Sequence, residues 1–83
     1  MSEARTFWVL YFGLLAERRG LADEHVSSRA KTLAALYAEL DAKHQLGLKP
    51  ENIRAAVNDE FAAWDQQIIG GEIIAFLPPM SGG

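Results

Sequence analysis

The residues of this sequence best suited to chemistry are its last two, Gly82 and Gly83, which follow Met80 and Ser81. A glycine pair beside a carboxylate carries no Cβ, so it threads a cleft that any larger residue would block. The Gly83 carboxylate is therefore the candidate reactive group, with Gly82 giving steric clearance beside it. Pro78 and Pro79 stand just before. They stiffen the base of the arm and lower the entropy lost when it enters a partner. The four residues beyond Pro79 reach at most roughly 13–14 Å when extended at 3.3–3.6 Å each. That depth serves a buried site while the body stays outside. The proline pair also has a plainer use, because proline ends a strand by lacking an N–H to donate.

Other reactive side chains make weaker cases. Ser81 has no base placed near it by sequence and lacks the strand-turn-helix setting of a nucleophile elbow. His25 and His44 are far apart, with no acid at ligand spacing, so no metal site is expected. Asp59 and Glu60 are adjacent, and strand neighbours point to opposite faces, which suits a solvated turn better than shared acid-base work. No helix start follows Gly70-Gly71, so that pair reads as a turn and not a phosphate cradle. The chain is expected to bind no nucleotide or other cofactor of its own.

Positioning that arm falls to one domain. The 83 residues are 49% apolar, with four Phe, two Trp and two Tyr, enough for one core and too few for two. There is no cysteine, hence no disulfide or thiolate chemistry. A net charge of −3 without a Lys/Arg cluster gives no footprint for phosphate backbones, so nucleic acid is not an expected partner. The first residues lack the pattern of a secretory signal, and no apolar run approaches a membrane span. The expectation is a soluble, cytoplasmic protein with no membrane association.

Along the chain, aromatic and β-branched residues over 6–12 predict a first strand, followed by a short helix over 14–19 closed by Gly20. Arg18 and Arg19 there suit the helix dipole. His25 and Val26 allow a short edge strand within 21–28. Thr32 is a plausible N-cap for the main helix, whose Leu33, Leu36, Tyr37 and Leu40 share one face. Glu39 and Lys43 form an i,i+4 pair, and Gly47 is the expected stop. Strands are predicted over 53–58, over 61–64 after a turn at Asn58-Asp59, and over 72–77 before Pro78. The result is an α+β domain, a mixed sheet of four to five strands on one main helix, with a body over 1–79 and a flexible tail over 80–83.

These features together resemble the small sulfur-carrying subunits of molybdopterin synthase, members of the ubiquitin-like β-grasp superfamily. The resemblance is carried by Ala55-Ala56-Val57-Asn58, by Gly71 to Leu77, and by Pro78-Pro79-Met80-Ser81-Gly82-Gly83. Leu77 stands where a second Phe is frequent, and Met80 where Val or a similar residue is usual. The resemblance implies that a ubiquitin-activating-type adenylyltransferase uses ATP to adenylate Gly83, which then becomes a thiocarboxylate. It implies sulfur donation to cyclic pyranopterin monophosphate within a large subunit, in a heterotetramer. Thiamine-pathway and tRNA-thiolating carriers share the Gly-Gly end and remain alternatives, as does a ubiquitin-like modifier of protein lysines.

A carrier needs a docking surface. Alternation puts Phe7, Val9 and Tyr11 on one side of the first strand and Trp8, Leu10 and Phe12 on the other. With the helix covering one face, Phe12, Phe61 and Leu77 are expected to form an outward apolar patch that grips the large subunit. Pro78, Pro79, Met80 and Ser81 would continue that contact. The competing expectation is a first strand buried on both faces by its own chain.

Overall fold

The structure is a computed structural model that describes residues 3–79. The expectations for Met80, Ser81, Gly82 and Gly83 lie outside these residues. The elements run β1 (Arg5–Tyr11), α1 (Gly13–Arg19), β2 (Asp23–Ser28), α2 (Leu33–His44), a 3-10 turn (Pro50–Asn52), β3 (Arg54–Val57), β4 (Glu60–Ala62) and β5 (Ile73–Leu77). Their five strands form one sheet in the order β2-β1-β5-β3-β4. β1 and β5 are parallel neighbours at its centre, and the remaining pairs are antiparallel.

The core lies on one face of this sheet. Alternation sends Phe7, Val9, Tyr11, Val26, Ala55, Ile74 and Phe76 inward, where Leu33, Leu36, Tyr37 and Leu40 of α2 and Leu15 of α1 meet them. Each such large side chain contributes about 1.5–3 kcal/mol by leaving water. Tyr37 packs edge-on against Phe76 at 5.2 Å between ring centres, and Trp64 stacks on Phe76 at 6.1 Å. The buried Tyr37 hydroxyl donates to Leu48 O at 2.6 Å, so burial leaves no orphan there. This mixed sheet, with one long helix across a single face, is the β-grasp of ubiquitin-like proteins.

Boundaries differ from expectation where backbone geometry overrides composition. Gly13, at φ +54°, turns the chain out of β1, so Phe12 precedes α1 as its N-cap instead of ending the strand. Gln45 adopts the left-handed C-cap of α2 at φ 54°, ending the helix at His44, ahead of Gly47. Asn58 and Asp59, at φ 50° and 73°, make a two-residue hairpin turn that pairs Val57 with Glu60. Pairing therefore starts before Phe61 and stops at Ala62, and Trp64 is left to pack on the core.

Charged pairs also depart from the local reading. Ser28 donates its hydroxyl to Glu39 at 2.7 Å, and among the described residues Glu39 makes no ion pair with Lys43. Arg18 donates to Leu46 O at 2.6 Å, while Arg19 grips both oxygens of Glu24 at 2.7 and 2.8 Å. These arginines tie α1 to its neighbours rather than merely answering its dipole.

Candidate functional site

Register decides what the uncovered face presents. Residues opposite one another across a ladder project to the same side. On that rule Trp8 shares the open face with His25 and Ile73, and Leu10 shares it with Asp23 and Ala75. Ala75 aligns with Ala56, Ala56 with Phe61, and Leu77 with Arg54. Phe12 joins from just beyond β1. The outcome is an open groove of about 210 Å³ lined by Leu10, Phe12, Ala56, Asp59, Phe61, Ala75 and Leu77.

The structure thus brings Phe12, Phe61 and Leu77 together, and leaves Phe12 44% and Phe61 62% exposed. Trp8 is 39% exposed and stacks on His25 at 5.6 Å, so the described chain does not cover the outer side of β1. Alanines at positions 56 and 75 make the groove floor low, while the aromatic side chains form its walls. Sequence reading used Ala56 only as a family mark and missed Arg54, whose guanidinium lies 4.2 Å from the centre of the Phe61 ring. The alternation of Arg54 with Ala55 was the available signal, but β3–β4 register was needed to place Phe61 beneath it.

Rigid elements support the groove. Asn58 and Ile73 exchange hydrogen bonds, Asn58 N–H to Ile73 O at 2.8 Å and Ile73 N–H to Asn58 Oδ1 at 3.0 Å. This clamp fixes the β3–β4 turn against the start of β5. At the other end, a Cβ on Gly13 would lie 3.0 Å from Pro78 Cγ, so the turn after β1 abuts the base of the arm. Pro78 is partly buried and Pro79 exposed at the edge of the described body.

Behind the face, Tyr11 donates its hydroxyl to Glu24 Oε2 at 2.7 Å. Hydrogen bonds from Arg19 hold the Glu24 carboxyl below its usual range, against the opposing effect of burial. Burial, with the adjoining Glu24 acceptor, pushes the Tyr11 phenol well above its ordinary value. This network braces β1, β2 and α1. It lies on the covered side and offers nothing to a substrate. Among the described residues no three His, Cys, Asp or Glu side chains gather to hold a metal ion. No helix among them is long and apolar enough to cross a membrane.

An apolar groove at the end of β5, on a ubiquitin-like β-grasp body whose sequence runs on to Gly82-Gly83, is the site the described residues define. Comparison with known proteins gives the family. A model described as the ThiS family matches residues 9–83. The molybdopterin synthase sulfur carrier subunit of Escherichia coli K12 is 31% identical over 78 residues, covering 90% of this chain and 96% of that protein. Among solved structures, SAMP1 from Haloferax volcanii superposes with a TM-score of 0.78 at 25% identity, covering 94% of this chain and 99% of that one. The complex of subunits 1 and 2 of molybdopterin-converting factor from Helicobacter pylori 26695 gives 0.63 at 28% identity, covering 94% and 99%. The chain belongs to the ThiS family.

Proposed function

We propose that this protein is the sulfur carrier subunit of a molybdopterin synthase. The observation that carries this reading is its likeness to the E. coli sulfur carrier across 96% of that protein, with Gly82-Gly83 inside the span that the ThiS family model matches. The Gly83 carboxylate attacks the α-phosphorus of ATP in an adenylyltransferase, forming an acyl-adenylate and releasing pyrophosphate. A sulfide equivalent then displaces AMP and leaves a thiocarboxylate. In the large subunit's active site, this sulfur passes to cyclic pyranopterin monophosphate, and two such deliveries build the dithiolene. The carrier holds no cofactor, and ATP belongs to the activating enzyme.

The groove supports the same reading, because two of its lining residues, Phe12 and Leu77, immediately precede Gly13 and Pro78, which meet at the base of the arm. A partner gripping that patch would stand next to Pro78, from which the sequence continues through Pro79, Met80 and Ser81 to the glycines. The pterin phosphate needs cationic groups, which the arm lacks, so the large subunit supplies them. The solved complex of two converting-factor subunits supports a heteromeric assembly, which we extend to a cytoplasmic heterotetramer.

The test is intact mass after incubation with the activating enzyme, ATP and a sulfur donor. Exchange of one terminal oxygen for sulfur is the expected result, and an unchanged mass overturns the proposal. A second reading, a protein modifier using the same activated terminus, is favoured by the likeness to SAMP1. Conjugates of higher mass, absent when Gly82-Gly83 are deleted, would establish it. A carrier for thiamine or tRNA thiolation would instead co-purify with that pathway's acceptor enzyme.

A further inference from the structure

Apart from His25, Arg54 is the one basic side chain at a strand position of the open face, among the described residues. It is exposed, and its guanidinium lies over the Phe61 ring at 4.2 Å. The only ion pair among the described residues is Arg19–Glu24, so Arg54 has no carboxylate partner among them. The ring face attracts the cation but accepts none of its N–H groups in the plane of the guanidinium, so those donors remain to be met by another acceptor. Arg54 also faces Leu77 across the ladder, one residue from the base of the arm.

A protein that covers Phe12, Phe61 and Leu77 must also cover Arg54. Desolvating a guanidinium without an acceptor is costly, whereas a planar carboxylate matches its fork with two hydrogen bonds. We propose that Arg54 is the charged anchor of the docking face, and that the partner presents an Asp or Glu carboxylate to it inside an otherwise apolar contact. The occupant is the large subunit, so this inference rests on the sulfur-carrier reading. The anchor sets the register of docking at the point from which the arm must be aimed.

The test is titration calorimetry of the carrier against the large subunit of its own organism, for the unaltered protein and for Arg54→Leu, Arg54→Lys and Arg54→Glu. Arg54→Leu keeps apolar bulk and removes the charge. It is expected to weaken binding about thirtyfold or more, because the partner's carboxylate is left unpaired. Arg54→Lys should fall between, Arg54→Glu should bind weakest, and the salt dependence of Kd should flatten in Arg54→Leu. Melting temperatures of these surface variants should match the parent. Equal or tighter binding by Arg54→Leu overturns the inference, since a purely apolar contact gains from that change. Self-association of the carrier that Arg54→Glu abolishes also overturns it, by making a second copy the occupant. If the unaltered carrier does not bind the large subunit, the sulfur-carrier reading itself fails, an outcome separate from the Arg54 comparison.

Discussion

Phe61 and Phe12 are the largest exposed groups around the groove. Placing a carboxylate on that wall, as Phe61→Asp or Phe12→Asp, should reduce capture of the large subunit in a pull-down at least tenfold while leaving the melting temperature near the parent's. Phe12 was readable from the period-two alternation of the apolar run over 6–12, whereas Phe61 was readable only as an aromatic residue in a strand expected over 61–64. Arg54 was not. Its stacking on Phe61 is set by pairing between β3 and β4, and the exact register comes from the left-handed turn at Asn58 and Asp59. Residue type announces aromatic bulk, but a contact between strands needs the register to be known first.

Elements differ in how much of their ends a sequence discloses. The start of α2 was foreseen at Thr32, whose hydroxyl accepts from Ala35 N–H at 3.1 Å, in the usual N-cap geometry. Its end was not, since Gln45 takes a left-handed conformation that glycine normally fills. Gln45→Gly should therefore raise stability by about 0.5–1 kcal/mol in urea unfolding, and a decrease would show that its side chain has a role of its own. The brace among Tyr11, Arg19 and Glu24 belongs to this scale because it joins β1, α1 and β2. Glu24 titrates lower in the folded chain than when unfolded, so its contribution is present above the usual carboxylate range and is lost as pH falls through its folded value. Glu24→Gln should cost about 1.5–3 kcal/mol at neutral pH. The gap between variant and parent should close on acidification, and thermal melts across that range check it.

For the whole molecule, element types and order were readable, while strand order was not a product of periodicity. Alternation assigns faces but says nothing of neighbours, and only the family resemblance implied a β-grasp. The arm should be separable from the body. Deleting Gly82-Gly83, or appending one bulky residue after Gly83, should leave the melting temperature within about 1 °C, since the core lies in the described body. Both changes should abolish sulfur transfer in a reconstituted synthase assay. Normal transfer by an extended variant shown to be unprocessed would falsify the terminal role.

The position of β5 also bears on synthesis at the ribosome. Because β5 lies between β1 and β3, a nascent chain that has not yet released Leu77 has no strand to join the β2–β1 pair to the β3–β4 pair. The last strand made is the keystone, and the glycines emerge directly behind it. A chain that stops short of β5 is therefore expected to lack the groove as well, because Ala75 and Leu77 of that strand are part of its lining.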